Sequence, residues 1–172
     1  MATGSSPRRG HLARLAAYRV AQAVGGSFGR LDEGAAARAV AELPPNLRPL
    51  FLSMRARDQR HALGVLQRVG AASEVLRQAA LLHDVGKAQV YLGTAGRTLV
   101  VVAGATGTTA LVCRLPGVGP RIARYLQHPQ VGADMLRAAG ASPDLVEIVS
   151  EHQDPHPRRP ETLLLQAADG RE

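Results

Sequence analysis

Residues 79–87 read AALLHDVGK, an apolar helical run that ends in an imidazole and a carboxylate. Apolar side chains upstream recur at the spacing of a buried helical face, so the pair His83-Asp84 is predicted to lie near the C-terminal end of a buried helix, beside Gly86. Burying either group without a partner would cost several kcal/mol. A metal ion is a partner that accepts both groups at once, and the stretch therefore indicates a metal site.

The composition favours helix over sheet, and we expect an all-α fold. Alanine, leucine and arginine dominate the 172 residues, aromatic residues make up 3%, and β-branched residues are sparse outside two short stretches. The 45% hydrophobic content is enough for the core of one domain. Periodicity and capping signals predict helices over 11–24, 32–43, from about 49 to 70, 73–83, 121–127, 129–140, 142–152 and 161–168.

Composition also suggests how the chain is organised. Residues 1–10 are small, polar and basic, and we expect them to form a disordered leader. Residues 11–45 are expected to form a small N-terminal helical extension that ends at Pro44-Pro45. Residues 46–172, which contain the His-Asp pair, are expected to form the main domain.

The location of the protein can be constrained by one cysteine and one apolar segment. Because Cys113 is the only cysteine, no intramolecular disulfide can form, and a reducing cytoplasm is the expected compartment. Thr98–Cys113 is the most apolar segment, but its 16 residues include two glycines and four threonines, and a membrane-spanning helix needs about 20 residues. A buried or partly surface-docked helix is favoured there, and contact with a membrane interface stays open.

The charge balance indicates anionic partners. The chain has 21 basic and 14 acidic residues, a formal net charge of +7, which would attract phosphates, nucleic acid or an anionic membrane surface. With so few aromatic side chains available to stack on bases, no specific nucleic-acid recognition is expected. Lys87 is the only lysine among the basic residues, and it lies one helical turn beyond Asp84.

Further histidines and a late aspartate could complete a metal site with the His-Asp pair. A single buried histidine is more often a hydrogen-bonded core residue than a ligand. Several histidines on separate predicted helices, together with two aspartates, supply the mixed nitrogen and oxygen donors that Mn, Fe, Co, Ni or Zn accept. The candidate ligands are His61, His83, Asp84, His128, His152 and Asp169.

In their order along the chain, these residues resemble the pattern of the HD-domain superfamily of metal-dependent phosphohydrolases, which has a His, then a His-Asp pair, then a distant Asp. His61, His83-Asp84 and Asp169 match that order. The segments HDVGK at 83–87, HPQVG at 128–132, EHQ at 151–153 and AAD at 167–169 further resemble the HD-GYP branch. The resemblance implies an HD-domain helical bundle over 46–172.

The resemblance also implies a chemistry, namely hydrolysis of a phosphate ester or nucleotide by a metal-activated water. One divalent transition metal ion would be held by His61, His83, Asp84 and Asp169. Asp84 would bridge to a second ion held by His128 and His152. Lys87 would contribute a positive charge to the substrate phosphate, so Asp84 and Lys87 are the expected catalytic residues, while an ordinary solvated lysine stays an alternative.

The chain departs from the HD-GYP pattern in two places. Glu151 stands where that branch has the first of two histidines, and no Gly-Tyr-Pro follows Asp154. Glu151 or His156 could still complete a second metal site, although a surface glutamate and an ordinary loop histidine are the favoured interpretations. The missing tripeptide removes the main reason to expect cyclic di-GMP as substrate. A catalytically degenerate HD scaffold with a regulatory or ligand-sensing role is therefore the alternative function.

Overall fold

The computed structural model describes residues 30–90 and 92–170, and all regular secondary structure within those ranges is helical. The predicted all-α fold is therefore confirmed. The described residues group into two compact units, one made of 30–90 and 125–170 and the other of 92–124. The expected leader and the helix expected over 11–24 lie outside the described residues, and the three-part domain organisation stays a prediction.

Ten α-helices and one 3₁₀ turn make up the described ranges, and the turn follows α4 directly. The α-helices are α1 (Glu33–Glu42), α2 (Arg48–Ser53), α3 (Ala56–Val69), α4 (Glu74–Leu82), α5 (Thr94–Thr106), α6 (Thr109–Val112), α7 (Gly119–Leu126), α8 (His128–Ala138), α9 (Pro143–Glu151) and α10 (Pro160–Asp169), and the 3₁₀ turn covers Val85–Gln89.

Side-chain caps begin several helices where the sequence predicts them. The Oγ of Ser73 accepts a hydrogen bond from the backbone amide of Leu76 at the start of α4, and Ser142 does the same for α9, which has a proline in its first turn. Such caps satisfy amides that have no partner within the helix. One prediction is wrong in detail, because the helix expected from about residue 49 to 70 breaks at Met54, whose backbone is extended.

The larger unit packs its helices around one apolar core. Helix α9 packs on α8 and on α4, α3 packs on α4 and α10, and the 3₁₀ turn packs on α8. Phe51, Leu81, Leu136 and Leu165 are fully buried in this core. Because these elements share one core, the candidate ligands, which lie on or next to all six of them, are brought close together.

The smaller unit contains the apolar segment. Helices α5 and α6 pack against each other, and Gly107 joins them with a left-handed φ of 71°. The single helix expected over Thr98–Cys113 is therefore wrong, because the chain turns at Gly107, where glycine adopts a conformation that other residues rarely take. Across residues 30–90 and 92–170, no helix is both long enough and apolar enough to cross a membrane.

Candidate metal centre

The His-Asp pair lies where the sequence predicts it, at the C-terminal end of a buried helix. His83 is the C-terminal cap of α4, and Asp84 begins the following 3₁₀ turn. The two residues are 1% and 2% exposed, so both polar side chains are inside the protein. Buried groups of this kind need close partners, and those partners come from four other segments.

The first group of donors, here called cluster one, surrounds Asp84 Oδ2. Nε2 of His61 lies 2.8 Å from Asp169 Oδ1 and 3.3 Å from Nε2 of His83. The Oδ2 atom of Asp84 is 3.5 Å from His83 Nε2 and 3.8 Å from His61 Nε2. Cluster one thus joins side chains of α3, α4 and α10 with the aspartate that follows α4.

The second group of donors, here called cluster two, surrounds the other oxygen of the same carboxylate. Asp84 Oδ1 lies 3.2 Å from Nε2 of His128 and 3.7 Å from Nε2 of His152. The two imidazole Nε2 atoms are 3.2 Å apart. Asp84 therefore faces one cluster with each oxygen, and the structure brings all six predicted ligands together.

These separations suit a shared cation. Two ligand atoms, each about 2.1 Å from one ion at tetrahedral or octahedral angles, lie about 3.0–3.4 Å from each other. Most of the spacings in the two clusters are within a few tenths of an ångström of that range. Among the described residues, His61-His83-Asp84 and Asp84-His128-His152 are the two groups of donors close enough to hold a metal ion.

Backbone carbonyls orient three of the imidazoles. Nδ1 of His83 lies 3.1 Å from the carbonyl oxygen of Ala80, three residues earlier. Nδ1 of His128 lies 2.8 Å from the carbonyl of Tyr125, and Nδ1 of His152 lies 2.7 Å from that of Val149. A carbonyl oxygen can only accept, so each Nδ1 carries a hydrogen and donates it. In the neutral rings, each Nε2 is then left with a lone pair that points into the cluster, as in metal-binding histidines.

The facing nitrogens of His128 and His152 need a positive charge between them. With both Nδ1 atoms donating to carbonyls, the two Nε2 atoms would meet lone pair to lone pair at 3.2 Å. Either a proton or a metal ion must resolve this contact. Burial, followed by the neighbouring His83, lowers the pKa of His152 to about 3, so this site disfavours an added proton there.

Electrostatics keep the two carboxylates ionised. Burial by itself would raise the pKa of Asp84, but Lys87 and the surrounding histidines outweigh burial and hold the pKa well below its usual range. Burial likewise opposes ionisation of Asp169, and the hydrogen bond with His61 lowers its pKa to about 2. Both side chains are therefore available as anionic ligands at neutral pH.

Lys87 belongs to this centre. Its Nζ lies 2.5 Å from Asp84 Oδ2, and its side chain is only 19% exposed. Burial by itself would lower the pKa of Lys87. The attraction of Asp84, together with that of other neighbours, outweighs burial and raises the pKa above its usual value. The interpretation of Lys87 as an ordinary solvated lysine is therefore wrong, because the residue is ion-paired with the buried carboxylate of Asp84.

Two glycines allow the 3₁₀ turn and α8 to approach closely. A Cβ on Gly86 would lie 2.1 Å from the carbonyl oxygen of His128 and 2.7 Å from the backbone nitrogen of Gly132. A Cβ on Gly132 would in turn lie 3.2 Å from the Gly86 nitrogen. A side chain at position 86 does not fit there, whereas one at position 132 would be only tightly packed. The close approach of the two backbones brings Asp84 within reach of His128.

Glu151 is neither a surface residue nor placed as a ligand. It is buried, and its Oε1 accepts a hydrogen bond from Nε of Arg158 at 2.6 Å while its Oε2 accepts one from the backbone amide of the same arginine. The favoured interpretation as a surface glutamate is wrong, because the carboxylate holds the loop between α9 and α10. His156 is exposed on that loop, as expected for an ordinary loop histidine.

Two further contacts of the centre were not predicted. Nε of Arg68 donates to the carbonyl of Ala168 at 2.6 Å, which fastens the last turn of α10 next to Asp169. The ring of Tyr125 lies 5.6 Å from that of His128, and its centroid is 5.8 Å from Lys87 Nζ. The position of Tyr125 three residues before a candidate ligand was its only sequence signal, and Arg68 had none.

Neither the models of known protein families, nor curated proteins, nor solved structures give a match to this chain.

Proposed function

We propose that this chain is a metal-dependent phosphohydrolase of the HD-domain type, which acts on a phosphate ester or nucleotide. The observation that carries the proposal is the facing pair of Nε2 atoms in cluster two, 3.2 Å apart, with each Nδ1 already committed to a backbone carbonyl. A divalent transition metal ion fits that arrangement, since it accepts both lone pairs and the carboxylate of Asp84.

The shared carboxylate supports a centre of two ions. Asp84 offers Oδ1 to cluster two and Oδ2 to cluster one, so each cluster has its own oxygen. Bound ions would supply an acidified water and neutralise charge on a phosphoryl oxygen. The chain's own residues orient those ions, because carbonyl hydrogen bonds fix the rings of His83, His128 and His152.

A phosphate-containing substrate is supported by the charges around the centre. Lys87 supplies an ammonium at the edge of the clusters, and the whole chain has a formal net charge of +7. Such a field raises the local concentration of anions. The proposed substrate is therefore a small phosphorylated molecule, either a nucleotide or a simple phosphate ester.

The test combines metal analysis with a substrate panel. The full chain, stripped with chelator and reloaded with Mn²⁺, Fe²⁺, Co²⁺, Ni²⁺ or Zn²⁺, should retain one or two ions per chain and hydrolyse at least one phosphomonoester or phosphodiester. His83→Ala should lose metal and turnover together. His156→Ala is the matched control, because it removes an exposed histidine from the loop and should leave both unchanged. A wild-type protein that retains no metal would refute the proposal.

One observation favours a second candidate, a metal-binding HD scaffold without turnover. Because Glu151 is engaged by Arg158, cluster two has three protein donors, Asp84, His128 and His152, among the described residues. A second ion held that weakly could be lost at physiological metal concentrations. Full metal loading with no hydrolysis of any substrate in the panel would support the scaffold over the enzyme.

A further inference from the structure

Lys87 pairs with only one of the two oxygens of Asp84, the one that faces cluster one. Its Nζ is bonded to Oδ2 of Asp84, the oxygen that faces His83 and His61 in cluster one. Oδ1, the oxygen that faces cluster two, has His128 as its nearest partner at 3.2 Å. The ammonium is therefore paired with the carboxylate oxygen that faces cluster one.

A lysine ammonium is a compact cation that can neutralise a carboxylate in place of a metal ion. Asp84 is 2% exposed, and a buried carboxylate needs a cation close to it. A lysine ammonium is a compact point charge, whereas a guanidinium is a planar fork. Lys87 is the only lysine in a chain whose other basic residues are all arginine, so the compact cation is found at the carboxylate that a metal would share.

We propose that Lys87 is the resident counter-ion of Asp84 in the metal-free protein and that a divalent ion entering cluster one displaces it. The inference rests on the proposed function only in taking cluster one as a metal site. Metal loading and release of the ammonium are then one coupled event. Metal binds before phosphate, since the lysine is free to meet an anionic substrate only after the ion has taken its place.

The displaced ammonium has a second partner within reach. The ring centroid of Tyr125 lies 5.8 Å from Nζ, close to the distance at which an ammonium is attracted to an aromatic face. Tyr125 is half-buried and lies in the last turn of α7, three residues before His128. A small rotation of the lysine side chain away from Oδ2 would thus keep the charge next to the centre.

The single lysine allows a direct test. Lysine labelled with ¹³C at Cε gives one side-chain resonance from this chain, because no second lysine exists. Titration of the chelator-treated full chain with Zn²⁺, which is diamagnetic, should move that resonance to a new position that saturates with the first bound ion in cluster one. A resonance that stays in place while Zn²⁺ binds with saturation would overturn the inference.

Calorimetric titration with Zn²⁺ supplies the second measurement. Lys87→Met removes the competing cation and should tighten binding in cluster one by about tenfold or more, since a hydrogen bond to a charged group is lost from the metal-free state alone. Lys87→Arg keeps a cation and should bind no more tightly than the wild type. Arg137→Met is the control for lost net charge, because it removes an exposed arginine at the far end of α8.

The outcomes separate this inference from the proposed function. Equal Zn²⁺ affinity in the wild type and Lys87→Met, with the lysine resonance unmoved, overturns the displacement while the metal centre stands. A displaced lysine in a loaded protein that hydrolyses nothing supports the displacement and removes the proposed activity. If neither the wild type nor Lys87→Met binds Zn²⁺, both proposals are wrong.

Discussion

Replacing Gly86 by alanine should break the contact that holds cluster two together. The added Cβ would lie 2.1 Å from the His128 carbonyl oxygen, whereas ordinary contact begins at 3.4 Å, so the 3₁₀ turn and α8 must separate by about 1 Å. Backbone atoms line this contact and have no rotamer to change. We expect a loss of about 3 kcal/mol in unfolding free energy, which lowers Tm by about 6–12 °C.

The same separation should weaken metal binding. Oδ1 of Asp84 and Nε2 of His128 are 3.2 Å apart, and a shift of about 1 Å removes one of them from the coordination distance of an ion. Thermal unfolding of the metal-free chain and Zn²⁺ titration of the folded chain measure the two effects separately.

Gly104→Ala is the matched control for this experiment. Gly104 lies inside α5, has no positive φ, and has open space where a Cβ would be. Alanine there should raise stability by about 0.5–1 kcal/mol, since glycine is a poor helix residue. A Gly86→Ala protein with the wild-type Tm and the wild-type Zn²⁺ affinity would refute the close-packing argument.

Three further predictions follow from other contacts. Glu151→Gln should lower Tm, because it weakens the pairing with Arg158, yet leave the number of bound ions unchanged; loss of one ion would instead make Glu151 a ligand. In the metal-free protein, Tm should fall as pH drops below about 6.5, because the unfolded chain then protonates His152 whereas the folded chain does so only near pH 3. Protonation of Asp169 in the unfolded chain should add to the loss below about pH 4. A flat profile of Tm against pH would contradict this. Arg68→Met should weaken Zn²⁺ binding in cluster one, because the end of α10 that carries Asp169 loses its hydrogen bond, and calorimetry that finds unchanged affinity would exclude that positioning role.

The local parts of this structure could be read from the sequence because they depend on local signals. The start of α4 at Ser73 and the position of His83 at its end follow from a cap and a 3.6-residue period. The six candidate ligands are brought together because the apolar stripes beside them pack into one core. Periodicity indicates which helical face is buried, and a polar side chain on a buried face needs a hydrogen-bond or metal partner.

The contacts that were missed or misread depend on tertiary packing. Glu151 lies one residue before the candidate ligand His152, but its partner comes from a loop seven residues later. No periodic pattern predicts the orientation of a loop arginine. The break at Gly107 is not indicated by the pattern, because an isolated glycine in an apolar run can also be tolerated inside a helix. The sequence therefore predicts the donors better than the residues that position them.

The charge of the candidate centre connects the proposed metal sites with the proposed substrate class. Without metal, the centre contains the carboxylates of Asp84 and Asp169 and the ammonium of Lys87, a formal charge of −1 when the histidines are neutral. Two divalent ions would bring that formal charge to +3 in a buried setting, where charges are poorly screened. Such an excess would be relieved by expelling the lysine from Asp84 and by binding anions. A phosphate ester would supply those anionic oxygens, so one electrostatic requirement supports both the proposed displacement of Lys87 and the proposed phosphorylated substrate.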